Sequence, residues 1–434
     1  MLFIRTNRFG SCRKLFIGVF FLQIIGHPGM GQAKKTDTIV YSLPEAEKIF
    51  LEKNLALLAQ QYNIDINKAL VQQARYWDNP VLNTDQNIYD GKFFRHDSQY
   101  GQVFLQIQQL IRTAGKRNKA IKLANDQVLT AQQQFNDLMR NLKYLLRNDL
   151  ATVYQLLQTD KIYTDEISAV EQLVKGMEAQ LQAGNISQKD NIRLKALLFS
   201  LQSDQSDGQR QLADVQSDLH ILLQQTTATF IAPDFSGLMK IDSIPLLNLQ
   251  QLLDSAKINR PDAQLAQTNL SIQQHNLAYQ KALAVPDLNV GIEYDQRSSY
   301  VTNYYGLAIS LPIPILNRNK GNITAAQSAI KQAQTNVQQM QSQVEQDVSS
   351  AYDKLMIAYR LKLGTSSDLQ TKYDLLLQNM ILSYRQRQVG LLEFLDFFGA
   401  YKDARQKQLQ QDTNLRSAAE EINLSTGKDM IHLN

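Results

Sequence analysis

Cysteine occurs once in these 434 residues, as Cys12, ahead of the apolar run Leu15 to Ile25. A chain that loses its leading segment keeps no disulfide, no thiol nucleophile and no cysteine metal ligand. Beyond Ile25 no apolar stretch approaches the roughly 20 residues that a membrane-crossing helix needs, which excludes a bundle of spanning helices. Proline and glycine are few, 9 and 19, so long uninterrupted helices and an extended shape are expected where composition alone would allow two or three ordinary domains. His27, His96, His220, His275 and His432 show no ligand spacing, and no metal site is expected. Ala114-Gly115-Lys116-Arg117 lacks the earlier glycine of a phosphate loop and reads as a turn. Serines and acids are spread over polar faces with no triad to select, so no catalytic residue and no cofactor is expected.

An excess of one charge is missing as well. The formal net charge is +4, but Arg5, Arg8, Arg13 and Lys14 all precede the apolar run and no acid accompanies them. Without those four the basic and acidic residues are equal in number, so binding to nucleic acid has no electrostatic basis. The order of basic, apolar and small residues, ending in Gly29 and Gly31, is that of a secretory signal peptide over residues 1–31, cleaved just before Gln32. An uncleaved anchor is the alternative. No cysteine follows the run to carry a lipid. Export without a spanning helix leaves the periplasm, an outer-membrane barrel or the medium.

What the sequence does contain is a pattern that occurs twice. Tyr305, Leu307, Ile309 and Leu311 alternate with Gly306, Ala308 and Ser310, as a strand with one apolar and one polar or small face would. Pro312 and Pro314 end its pairing, and a long helical seam begins at Ile323. Leu288, Val290, Ile292 and Tyr294 alternate in the same way with Asn289, Gly291, Glu293 and Asp295. Pro80-Val81-Leu82-Asn83 recurs as Pro286-Asp287-Leu288-Asn289, and Leu58-Ala59-Gln60 as Leu265-Ala266-Gln267. Taken singly these are also the strands of an ordinary sandwich; the repetition favours a membrane role. Aromatics including Tyr89, Phe93, Tyr100 and Tyr300 gather near the hairpins, as at a membrane boundary.

Each second strand hands over to a helix. Ala124, Val128, Ala131, Phe135, Leu138 and Leu142 step by four and three, as do Ala326, Ile330, Ala333, Val337 and Met340, the spacing of helices packed in a shallow coil. Each rod ends in a glycine-marked turn, at Gly184-Asn185 and at Val389-Gly390-Leu391, with Asp190 and Asp396 each six residues past its glycine. Either aspartate can be read as an acid in the first turn of a helix or as part of a constriction.

The expected organisation is a signal peptide at 1–31, an N-terminal segment at 32–41, a first repeat at 42–232 with strands at about 80–90 and 101–111, and a linker at 233–247. A second repeat follows at 248–425, with strands at about 286–296 and 303–313, then a tail at 426–434. The fold class is mainly α with a small membrane β-barrel portion, built as a two-fold internal repeat of helix, two strands and a long helical hairpin. Leu288, Val290, Ile292, Leu307, Ile309 and Leu311 are the expected lipid-facing residues.

The doubled layout, Arg260-Pro261-Asp262, the Leu311-Pro312-Ile313 strand end and Gly390 with Asp396 resemble the TolC-like outer-membrane efflux proteins, over nearly the whole mature chain. The resemblance implies a homotrimer with a twelve-stranded barrel in outer-membrane lipid, joined to a helical barrel in the periplasm. It implies an outer-membrane channel of a tripartite efflux system, a passive duct served by a periplasmic adaptor (membrane fusion protein) and an inner-membrane pump of the resistance-nodulation-division type. Adaptor docking falls on Gly184, Asn185, Val389, Gly390 and Leu391, and the periplasmic gate on Asp190, Asp396 and Glu393. Ala183-Gly184-Asn185 departs from the family's tip triplet, Gly399 stands where a second acid is often found, and Leu392 replaces an arginine, which implies weaker ionic locking. A periplasmic coiled-coil scaffold or adaptor without a pore is the alternative reading of the same helices.

Overall fold

A computed structural model describes residues 37–432 apart from 90, 98–99, 183, 185–186, 227, 235–246 and 365–368. The expected signal peptide and most of the linker lie outside the described residues. Strand β1 (Asp37–Tyr41) leads into helices α1 (Leu43–Lys53) and α2 (Leu55–Arg75). Ser42 starts α1 by donating from its backbone N–H and its Oγ to Glu45 Oε2, at 3.0 and 2.7 Å, with Pro44 in the first turn where no N–H is needed. Asn54 separates the two helices. Its Oδ1 accepts from the N–H groups of Ala56 and Leu57, and its Nδ2 donates to the Leu222 carbonyl at 3.0 Å.

Strands β2 (Val81–Gln86) and β3 (Val103–Ile111) follow, then the 67-residue helix α3 (Lys116–Gln182). At 1.5 Å per residue α3 is a rod of about 100 Å. It turns into α4 (Gln188–Leu223), which returns to β4 (Thr229–Pro233), paired in parallel with β1. Next come α5 (Leu249–Asn259), α6 (Pro261–Leu283), β5 (Leu288–Arg297), β6 (Thr302–Ser310), α7 (Lys320–Leu363), α8 (Leu369–Arg385) and α9 (Leu391–Thr426). Arg260 stands between α5 and α6 as Asn54 does between α1 and α2, with Pro261 opening the second helix.

The four longer-range strands form one antiparallel sheet in the order β2-β3-β5-β6, open at both edges. The helices below repeat that order: α2 lies on α3, α3 on α6, and α6 on α7. Three apolar clusters hold the rods together. One packs Phe50, Leu146, Leu150 and Leu219 beneath β1 and β4; a second joins Leu252, Val348, Leu355 and Ile422; a third lies near the tips around Val170, Leu194, Phe394 and Phe398. On α7 the buried residues Ala326, Ala333, Val344, Val348, Ala351 and Leu355 are those of the heptad seam.

Several bounds differ from expectation for local reasons. β2 stops at Gln86 because the chain folds back on itself, bridging Tyr89 to Phe93 with Phe94 at a φ of 50°. β6 stops at Ser310, so Leu311, expected within the strand, lies one residue beyond its paired end. Pro312 and Pro314, which lack N–H donors, follow it. The expected N-terminal segment contains β1, whose pairing with β4 had no periodic signal. The expected tail begins on the last residue of α9 and then folds back: Gly427 at a φ of +72° caps the helix, and Ile431 is buried. A Cβ at Gly427 would lie 2.8 Å from the Asn259 carbonyl, so the residue needs both the left-handed backbone and the space.

Candidate functional site

The sheet has two chemically distinct faces. Its register places Ile107, Ile292 and Leu307 in one row, and Val290 and Ile309 in the next. With Leu288 and Ile111 they make one apolar surface. Ile292 and Leu307 are 66% and 65% exposed, so the middle of this surface is left open among the described residues. On the other face Asn83 donates to Gln106 (3.2 Å), Gln106 to Glu293 (2.8 Å) and Gln102 to Asp295 (2.5 Å). Glu293 and Tyr304 lie over Gly306, and Gln108 beside Gly291, where a Cβ would come within 2.7 Å of the Ile107 carbonyl oxygen. One face therefore suits hydrocarbon and the other water. Exposed Tyr89, Phe93, Tyr100 and Tyr300 collect at the hairpin end.

The tips lie at the other end of the rods. At the first, Gly184 has a φ of +73°, and Asn185 is outside the described residues. Ser187 caps α4: its Oγ accepts from the Asp190 N–H at 3.2 Å and donates to Asp190 Oδ2 at 2.8 Å. At the second, Gly390 is the N-cap of α9, with an ordinary φ of −74° and no atom within 4 Å of where a Cβ would stand. Neither backbone strain nor crowding requires glycine there. Val389 and Leu391 are half-buried beside it. Glu393 lies in the first turn of α9 and Asp396 in the second; both are exposed, and neither forms an ion pair among the described residues. Asp190 thus stands in the first turn of its helix, held by the Ser187 cap, whereas Asp396 lies a turn further along its own. The two tips touch: Tyr384 stacks on Phe394 at 4.9 Å and donates to Met177 Sδ at 3.5 Å. Burial, with Asp190 nearby, raises the Tyr384 hydroxyl above its ordinary range.

Two charged clusters inside the helices went unnoticed in the sequence. In the first, Arg147 on α3 reaches Glu47 of α1 (2.6 Å), Glu420 of α9 (2.7 Å) and Asp429 (3.1 Å), and Lys143 also holds Asp429 at 2.8 Å. Beside it Arg260 pairs with Asp262 and Asp347, and Arg140, which bonds the Leu424 carbonyl, lines with Arg147 and Glu420 an open cavity of about 430 Å³. Burial lowers the Arg416 guanidinium to about 10. The second is Glu166, 2% exposed, with no hydrogen-bond partner on either carboxylate oxygen among the described residues. The available signal was a charge at a heptad position, since Glu166 stands between Tyr163 and Val170 in the seam of α3.

Burial pushes Glu166 up to about 7, against the pull of Lys402 and Arg405. The folded state then holds its proton to higher pH than the unfolded state, so stability is fullest below the ordinary value of 4.5 and declines as pH rises to about 7. Glu166→Gln should raise the melting temperature at about pH 8, by the equivalent of roughly 2 to 3 kcal/mol, and change little at about pH 4. Equal shifts at both pH values would show that the carboxyl is not held protonated by the fold.

No family model matches the chain. It is 22% identical over 294 residues to the cobalt-zinc-cadmium resistance protein CzcC of Cupriavidus metallidurans, a match spanning 67% of this chain and 66% of that protein. It is 21% identical over 416 residues to the outer membrane efflux protein BepC of Brucella suis, spanning 92% of this chain and 86% of the relative. Its fold is that of the outer membrane protein VceC from Vibrio cholerae, with a TM-score of 0.68 and 14% identity over 89% of this chain and 96% of that one.

Proposed function

We infer from these likenesses that the chain is a TolC-like outer-membrane efflux protein, the channel of a tripartite system that carries small molecules or metal ions from the periplasm to the exterior. It works as a passive conduit, not an enzyme, with energy supplied by an inner-membrane pump through a periplasmic adaptor. The observation that carries this reading is the open sheet, with hydrocarbon chemistry on one face and water chemistry on the other. Two free edges in lipid would leave backbone groups unpaired at several kcal/mol each, and closure with further copies removes both edges. Three copies of a four-stranded sheet give a twelve-stranded barrel. The polar face, with Gln106, Glu293 and Asp295, then lines the lumen, and the helical layer continues it as a tunnel.

The two halves are read as an internal duplication, each contributing a hairpin and a rod. At the tips, the open backbone at Gly390, flanked by Val389 and Leu391, with Gly184 at the matching turn, offers the adaptor a docking surface. Exposed Asp396 and Glu393 form the acidic constriction, and Asp190 adds its carboxylate from the first turn of α4, bonded to the Ser187 cap. No residue of the tip is assigned a resident cofactor.

Purified from the outer-membrane fraction with detergent, the protein should run as a trimer and open cation-preferring channels in planar bilayers. Asp396→Asn should raise single-channel conductance and weaken its dependence on the cation used, because three carboxylates meet at the narrowest point. Release with the soluble periplasm and no channels in the bilayer would overturn the reading. Unaltered conductance in the variant would remove Asp396 from the constriction.

A further inference from the structure

The foot of the sheet carries an exposed feature that the transport reading leaves unassigned. β2 starts at Val81 and β6 ends at Ser310, so the segments flanking them lie at the same, helix-proximal end, one at each free edge. Ahead of β2 stand Tyr76 and Trp77, the latter 63% exposed. After β6, Leu311, Ile313, Ile315 and Leu316 are all exposed, Leu316 by 98%. Pro312 and Pro314 let this segment leave the sheet without presenting unpaired N–H groups. Cations stand among these apolar groups. Arg117 lies over the Trp77 ring at 4.5 Å while donating to the Arg75 carbonyl, and exposed Arg318 and Lys320 follow Leu316. The foot is held firmly beneath them, with Asp287 accepting from Lys116 Nζ at 2.6 Å and from the Thr113 N–H at 2.8 Å.

We propose that these two segments form a phospholipid-binding collar at the periplasmic face of the bilayer, an inference that rests on the outer-membrane channel reading. Leu311, Ile313, Ile315 and Leu316 enter the acyl region, the Trp77 ring lies at the headgroup level, and Arg117, Arg318 and Lys320 hold lipid phosphates. Two observations single out lipid as the occupant. The outward row Tyr305, Leu307, Ile309 continues in sequence through Leu311 and Ile313, so the collar prolongs the hydrocarbon-facing surface. A neighbouring copy is the other candidate, since the two segments stand at opposite edges of the sheet. Closure of the barrel brings Arg75 and Arg117 of one copy towards Arg318 and Lys320 of the next, like charge on like, and a lipid phosphate between them neutralises both groups.

Trp77 is the only tryptophan in the chain, so its fluorescence reports this site alone. The trimer is reconstituted in vesicles of phosphatidylethanolamine and phosphatidylglycerol whose acyl chains carry bromine either near the headgroup or near the chain end. Trp77 should lose most of its emission to the shallow bromine and little to the deep one. A Trp77→Phe, Ile292→Trp protein, whose reporter faces outward in mid-sheet, should show the reverse order. Quenching of the Ile292→Trp reporter without quenching of Trp77 overturns the collar and leaves the channel reading standing; shielding of Trp77 from aqueous acrylamide in that case assigns the site to a neighbouring copy. Absence of quenching at both positions overturns both readings.

Discussion

Ile66→Asp should abolish the proposed trimer, leaving a monomer on native gels and in light scattering, and no channel activity. The reason lies in the two apolar faces of α2. Leu57, Ile64 and Val71 repeat every seven residues, are buried, and pack the helix on α3. Leu55, Leu58, Tyr62, Ile66 and Leu70 follow a four- and three-residue spacing on the opposite side of the same helix, and all are exposed. α2 is the edge of the helical layer, as β2 is the edge of the sheet, so this second stripe points to where the next copy must stand. The other edge, α7, has exposed Ser328, Thr335 and Ser342 at seven-residue intervals opposite its own buried seam, small side chains that allow close approach. Burying five large side chains contributes about 1.5 to 3 kcal/mol each, and a carboxylate forced into the middle of the stripe costs several more, repeated at three seams. Ile66→Leu should leave assembly intact. A stable Ile66→Asp trimer would mean that the copies meet through some other surface.

The features legible in the sequence were those set by short-range periodicity. The alternation through Leu288 to Tyr294 and Tyr305 to Ile309 gave two strands and their faces, because a two-residue period assigns each side chain to one side. The four- and three-residue seam through Ala326 and Ala333 gave α7 for the same reason. β1 and β4 escaped notice because each is five residues long and its only partner is remote in sequence. At the tips the six-residue interval from glycine to aspartate looked alike in both halves. Their helices start at different points, so Asp190 falls in a first turn and Asp396 in a second. The Arg147 cluster depends on contacts between α1, α3, α9 and the residues after it, which no local pattern encodes.

Removal of that arginine should be the most destabilising change within a single subunit. Arg147 joins the first half of the chain to the last helix, and its partner Glu420 is 2% exposed. In Arg147→Met the Glu420 carboxylate keeps a bond from Asn423 Nδ2, at 3.1 Å, and the nearby charge of Arg416, but loses the guanidinium that bonds it directly in a buried site. Breaking one side of such a pair costs about 3 to 5 kcal/mol, most of it the penalty for the stranded charge. Asp429 would be affected too. Burial alone would raise its carboxyl, but hydrogen bonds from Arg147 and Lys143 hold it below the ordinary carboxylate range. That contribution is present above the unfolded value and is lost as pH falls through the lower folded one, so the wild-type protein should show an acid-side loss of stability that is smaller in Arg147→Met, where Lys143 alone holds Asp429. Arg147→Met combined with Glu420→Gln should recover most of the stability, because the buried carboxylate that Arg147 neutralised is then gone and Lys143 still pairs Glu47 and Asp429. Thermal unfolding of the three proteins at neutral pH measures both effects. If the double variant is as unstable as the single, the arginine acts by filling space between α3 and α9, and the ion pair contributes little.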